Sequence, residues 1–189
     1  KELNILDNLQ TLKKRLLEEP IEEQILLGKI DVLGKTSDNI SKKVRSQYEM
    51  NPYPRWVKLS LSTQEKSIDE FCKRSKLQLY SNHIKAVAAP NILIAGCGTG
   101  QHSLETASRF SGCQVTAIDL SLSSLAYAKR KTNETEMTNL NYLQADILDL
   151  GNMEKKFDII ESVGVLHHMS EPLAGWSILT KLLNPNGLM

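Results

Sequence analysis

The chain has 189 residues, enough for one domain with its own core plus an extension. A hydrophobic fraction of 41%, a charged fraction of 24% and a net charge of +1 are ordinary for a globular chain, and they argue against nucleic acid or an anionic membrane surface as the main partner. No apolar run approaches the roughly 20 residues of a membrane span, and the KELNILDNLQ start has the form of neither a signal nor a transit peptide.

Sequence character changes near Pro90, which divides a helical extension (1–89) from an α/β part (90–189). In the extension, Leu3, Leu6, Leu9, Leu12, Leu16 and Leu17 recur at helical spacing, which predicts an amphipathic helix ending at Pro20. A second helical run covers Ile21 to Leu33 and is weakened by Gly28. Ser37 is placed to cap a helix reaching about Tyr48. The NPYPRW segment, Asn51 to Trp56, is excluded from regular helix by its two prolines. Further helices are expected over Thr63–Lys76 and just before Pro90.

After Pro90, apolar runs predict strands at Asn91–Ala95, Gln114–Asp119, Asn141–Ala145 and Phe157–Val163, nearly continuous in hydrophobicity as in sheets covered on both faces. Helices are expected at Gln101–Phe110, at Leu122–Thr132 with Ser121 as N-cap, and at Glu171–Leu183 ahead of an NPNG turn. Alternating strands and helices with right-handed crossovers make a doubly wound, Rossmann-like parallel sheet. Three cysteines, Cys72, Cys97 and Cys113, lack metal-ligand spacing, so no metal is expected, and a reducing, cytoplasmic setting is the simpler assumption.

The strongest chemical signal is ILIAGCGTGQH, Ile92 to His102, where a strand runs through glycines into a helix. Glycine at alternate positions lets the backbone turn sharply and approach a ligand. A dinucleotide loop places its third glycine where this chain has Gln101; here Gly100 comes one residue early, giving GxGxG. Asp119 closes the second strand, where an acid can accept hydrogen bonds from both ribose hydroxyls; a helix-capping role is the alternative. Asp146 closes the third, placed to accept from an adenine amino group, with Ile147 offering an apolar face for the ring.

Together AGCGTG, AIDLS, QADILDL, ESVGVLHHM and LLNPNGLM resemble, in order and spacing, the class I S-adenosylmethionine-dependent methyltransferases. The longer stretch from QYEMNPYPRW resembles methyltransferase domains that follow tetratricopeptide repeats in bacterial proteins, with the N-terminal helices as the connection. The resemblance implies S-adenosylmethionine as cofactor, S-adenosylhomocysteine as product, and an unidentified small-molecule or protein acceptor. It implies that Gly96, Gly98 and Gly100, with Ala95 and Cys97, line the methionine part, that Asp119 and Leu120 meet the ribose, and that Asp146 and Ile147 meet the adenine. Glu161 and Ser162 would sit under the methionine amino group. Ile94 stands where many members carry an acid, which removes one anchor at that end.

Family members have seven strands, and this chain stops where the fifth is expected to begin, near Gly187. That predicts an unpaired sheet edge and a homo-oligomer, unless the N-terminal helices cover the gap. His167 or His168 is a candidate base for a hydroxyl acceptor; a loop histidine bonded to backbone is the alternative. Tyr53, Arg55 and Trp56 are candidates for contact with acceptor or cofactor, or for packing the N-terminal helices onto the sheet. His102 reads as a helix-end residue near the cofactor, His83 as surface, and Trp176 as core with Leu173, Leu179 and Leu183. The competing functions are a cofactor-binding module without turnover and a nicotinamide-dependent oxidoreductase, the latter disfavoured by the loop spacing.

Overall fold

The computed structural model describes residues 9–189, so Leu3 and Leu6 of the expected first helix lie outside the described residues. Six strands, β1 (Asp31–Leu33), β2 (Asn91–Ala95), β3 (Gln114–Asp119), β4 (Leu140–Ala145), β5 (Phe157–Glu161) and β6 (Leu183–Leu188), form one sheet in the order β1-β4-β3-β2-β5-β6. Every pairing is parallel. The helices are α1 (Gln10–Lys13), α2 (Glu19–Leu27), α3 (Asn39–Met50), α4 (Ile68–Arg74), α5 (Gln101–Ala107), α6 (Leu122–Asn133) and α7 (Pro172–Lys181).

Side-chain alternation along β2 builds the two layers. Ile92 and Ile94 face a core shared with Leu104 and Ala107 of α5 and with Leu125, Ala126 and Ala128 of α6. Leu93 and Ala95 face a second core with Leu179 of α7 and with Ile147 and Leu150 after β4. Ile92, Leu93, Ile94 and Ala95 are all buried, the three larger ones each worth roughly 1.5–3 kcal/mol relative to exposure. Winding runs outward from β2 through α5, β3, α6 and β4 with both helices on one face, and from β5 through α7 to β6 on the other. The direction reverses between β2 and β5, and in open α/β sheets ligands bind outside the strand ends at that switch point.

The sequence expectations for β2, β3, β4 and α6 agree with the structure to within a residue or so, including Ser121 as N-cap, whose side chain accepts from the Ser124 amide. The N-terminal part differs. Pro20 does not end the first helix: α1 passes through a π-helical turn (Lys14–Glu18) into α2, with Pro20 in its first turn. There its missing N–H and fixed φ are tolerated. Leu12 and Leu16 of the leucine stripe are exposed. The run predicted helical to Leu33 stops at Leu27, and residues 31–33 pair with Leu143–Ala145 as an edge strand. Asp38 rather than Ser37 caps α3, its carboxylate accepting from Ser41 N at 2.8 Å. The helix expected over Thr63–Lys76 shortens to α4, opened by a Ser67–Glu70 capping box.

At the far edge α7 ends at Lys181, and the strand expected near Gly187 begins at Leu183. Only Leu183 and Leu188 hold β5 register, opposite Phe157 and Ile159, so the expected NPNG turn appears as a bulge within β6. Trp176 and Leu173, expected in the core, are exposed on α7, while Leu179 is buried. Cys72, Cys97 and Cys113 are free and buried. Among the described residues no helix is long and apolar enough to cross a membrane, and no His/Cys/Asp/Glu cluster could hold a metal ion.

Gly100 shows how tightly α6 packs under the loop. Its φ is +84°, and an added Cβ would lie 2.5 Å from Ala128 Cβ and 2.9 Å from Tyr142 Oη. Gly100→Ala is therefore expected to destabilise the fold by about 2–4 kcal/mol in urea unfolding. At Gly98 an added Cβ meets only the Tyr53 carbonyl, at 3.9 Å, and φ is +53°, so Gly98→Ala should cost only about 1–2 kcal/mol. Equal losses at the two sites would contradict this packing.

Candidate functional site

Two adjoining clefts open at the switch point. A narrow one of about 160 Å³ is lined by Gly96, Gly98, Asp119, Leu120, Asp146 and Ile147, by Val163–Val165 after β5, by His168 and Met169, and by Ser41, Val44 and Tyr48 of α3. A wider one of about 540 Å³ runs along the loop past Cys97, Thr99, Gln101, His102 and Glu105. Tyr53, Gly96, Gly98, Val163 and Gly164 line both, so the two form one continuous surface.

Asp119 holds the loop in shape. Its Oδ2 accepts from Gly98 N at 2.8 Å and its Oδ1 from Ser121 N at 2.9 Å. A carboxylate accepts about four hydrogen bonds, so roughly two lone pairs stay available to a ligand. Burial lifts the Asp119 pKa above its ordinary value, against the Ser121 and Gly98 amides that favour the anion, and the nearby Glu49 adds to the rise. Asp146 is buried, unlike the half-buried Asp119; its Oδ1 accepts from Leu148 N at 3.0 Å, which leaves Oδ2 for a ligand. Ile147 and Leu120 supply the apolar wall. Desolvation, then the Asp119 charge, push the Cys97 thiol well above its usual range, so Cys97 is a neutral thiol rather than a nucleophile.

Several expected cofactor residues sit elsewhere. Gly100 lines neither cleft and faces Ala128 and Tyr142 instead. Ala95 is fully buried beneath the loop. Glu161 pairs with Ile94 across the sheet and points with it to the α5 side. There its Oε2 accepts from Thr106 Oγ1 at 2.7 Å and lies 2.7 Å from His102 Nε2, with Arg109 3.6 Å from Oε1. Burial raises this carboxyl, but His102, Thr106 and Arg109 outweigh it and hold the pKa below its ordinary value. Ser162 Oγ is buried without a hydrogen-bond partner. Period-two alternation, which puts Glu161 on the same face as Ile159, is the signal that locates it.

The Tyr53–Trp56 segment divides by role. Thr99 Oγ1 donates to Pro54 O at 2.6 Å, and Trp56 Nε1 donates to Thr99 O at 3.0 Å, so the segment straps the glycine loop from outside. Tyr127 donates its hydroxyl to the Trp56 carbonyl. Arg55 donates to Glu23 at 2.8 Å and lies 4.6 Å over the Tyr127 ring, on which Arg130 also stacks at 4.9 Å. Arg55 and Trp56 thus pack, while Tyr53 alone of the three lines the clefts. Of the two histidines, His168 lines the narrow cleft and His167 lines neither.

The helix expected up to about Tyr48 is present as α3, but its part in the site is not apparent from the sequence. Glu49 reaches the start of α6, accepting from Leu122 N and Ser123 N, each at 2.9 Å. A carboxylate there meets the unpaired amides and the positive end of the helix dipole. Burial raises the Glu49 carboxyl, but the Ser123 and Leu122 amides and Arg45 outweigh it and keep its pKa below 4.5.

A family model described as a methyltransferase domain matches residues 92–187. An uncharacterized protein from Synechococcus is 35% identical over 101 residues, which cover 53% of this chain and 24% of that protein. The (S)-coclaurine N-methyltransferase of Papaver somniferum is 28% identical over 127 residues, 67% of this chain and 36% of that enzyme. Among solved structures, PKMT2 from Rickettsia typhi superposes with a TM-score of 0.53 at 27% identity, covering 68% of this chain and 26% of that one. The chain spans about a quarter to two fifths of the length of the curated relatives it matches.

The Glu49 contact carries a pH signature. Because the folded pKa is lowered from 4.5, the contact stabilises fully above that value and is lost as pH falls through the folded pKa. Wild type should exceed Glu49→Gln by about 1 kcal/mol at pH 7. In chemical unfolding the gap should close below pH 4.5; a gap independent of pH would contradict the assignment.

Proposed function

This chain belongs to the methyltransferase domain family, and we propose that it binds S-adenosylmethionine across the two clefts and directs its methyl group to an acceptor beside Tyr53. The observation that carries this reading is the pair of carboxylates, Asp119 and Asp146, closing neighbouring strands in one cleft with an apolar wall between them. Asp119 would accept from the ribose hydroxyls with the lone pairs that Gly98 and Ser121 leave unused. Asp146 Oδ2 would accept from the adenine amino group, with Ile147 and Leu120 against the ring. Bound S-adenosylmethionine supplies an electrophilic methyl on a sulfonium sulfur and leaves as S-adenosylhomocysteine.

What the protein contributes is alignment and exclusion of water. Gly96 and Gly98 keep the loop backbone low enough for the ligand to cross from one cleft to the other. Tyr53, at the junction, offers an aromatic face to the sulfonium, a favourable cation–π pairing. His168, which lines the narrow cleft, would take a proton from a hydroxyl acceptor. The acceptor is a small molecule or a protein side chain.

Titration calorimetry with S-adenosylhomocysteine tests this, with NAD as control. Asp119→Ala removes the ribose acceptor and is expected to weaken binding by about 2–3 kcal/mol, roughly 30- to 150-fold. NAD should not bind. Undiminished affinity in Asp119→Ala, or preference for NAD, would contradict the assignment.

A further inference from the structure

If the nucleoside occupies the narrow cleft, the amino-acid end of the cofactor extends into the wider one; the inference below rests on that reading. This end carries an α-carboxylate, which needs a donor in a partly desolvated place. Among the described residues, no lysine or arginine lines the wider cleft, and His102 is the one side chain there able to carry a positive charge. The acid at Glu105 would repel the carboxylate rather than hold it.

His102 is also held in place. Its Nε2 lies 2.7 Å from Glu161 Oε2, an oxygen that accepts from Thr106 Oγ1 as well, and Arg109 stands 3.6 Å from the other oxygen. Glu161 comes from the last position of β5 and His102, Thr106 and Arg109 from α5 and just beyond it, so ring and carboxylate are fixed by separate elements. Arg109 is itself placed over the Phe71 and Phe110 rings, at 5.6 and 5.8 Å. An ionised Glu161 accepts from Nε2–H and favours the doubly protonated ring, whose Nδ1–H is then the donor available to a carboxylate. The arrangement is that of an imidazole oriented by a carboxylate behind it, with its second nitrogen left for the cleft that His102 lines.

We propose that His102, as the imidazolium, recognises the α-carboxylate of the cofactor by donating Nδ1–H, and that Glu161, accepting from Nε2–H, is the positioning residue that orients its ring. This gives Glu161, turned away from both clefts, a role through His102 rather than by direct contact. It also supplies a charged anchor at the end of the site where Ile94 offers none.

The test compares S-adenosylhomocysteine with its decarboxylated analogue, which keeps the nucleoside, sulfur and amine. Both are titrated calorimetrically into wild type, His102→Ala and Glu161→Gln. His102→Ala is expected to weaken S-adenosylhomocysteine at least tenfold and Glu161→Gln about threefold or more, while the analogue changes less than twofold in either. S-adenosylhomocysteine retained within twofold in His102→Ala, or both ligands weakened by the same factor, would overturn the inference and leave the nucleoside site standing. Wild type that binds neither ligand would overturn the cofactor reading, and this inference with it.

Discussion

The carboxylate of Asp119 is the constraint on which the site depends. It sits at the end of β3, yet it accepts from an amide of the loop that follows β2 and from the amide that opens α6. One side chain thus fixes the spacing between two strand ends and the angle at which the glycine loop leaves the sheet. The cost is a half-buried charge, whose carboxyl is raised above its ordinary pKa by burial; two amide donors offset part of it. The loop glycines then have different duties. Gly98 stays open toward the clefts, whereas Gly100 gives up its side chain so that α6 can close against the loop.

The N-terminal part is not merely attached to this frame. β1 extends the sheet beside β4, α3 supplies one wall of the narrow cleft, and Glu49 caps the helix that Asp119 starts. The Pro54–Trp56 strap locks the outside of the glycine loop through Thr99. Arg55 ties this strap to α2 through Glu23, and Arg130, nearly fully buried, ties α6 to α2 through Glu19 and Glu23 and meets Glu134 at the end of its own helix. Such a buried arginine is tolerable because every face of the guanidinium meets an acid or the Tyr127 ring.

Much of the central sheet was legible because its strands are short, nearly continuous apolar runs bounded by glycine and aspartate. Asp119 and Asp146 were legible for the same reason: each marks the end of such a run. Elements decided by distant partners were not. β1 is three residues whose strand character comes from β4, and the π-helical turn before Pro20 reflects how that helix accommodates a residue without an N–H. Glu49 looked like any acid on a polar helix face until α6 was placed opposite it. Glu161 differs: the apolar run marks its strand end, but its face follows only from period-two alternation along β5, which pairs it with Ile94 on the α5 side.

On the proposed reading, the two strand-end carboxylates and the loop between them form a nucleoside site already shaped in the protein. A crystal structure of the chain with S-adenosylhomocysteine tests it most directly. Adenine is expected against Ile147 and Leu120, with both ribose hydroxyls within about 3 Å of Asp119 and the glycine loop still donating its Gly98 amide to Asp119. Ordered ligand with its ribose away from Asp119, or a loop that breaks the Gly98 contact to admit it, would rule out a preformed nucleoside site.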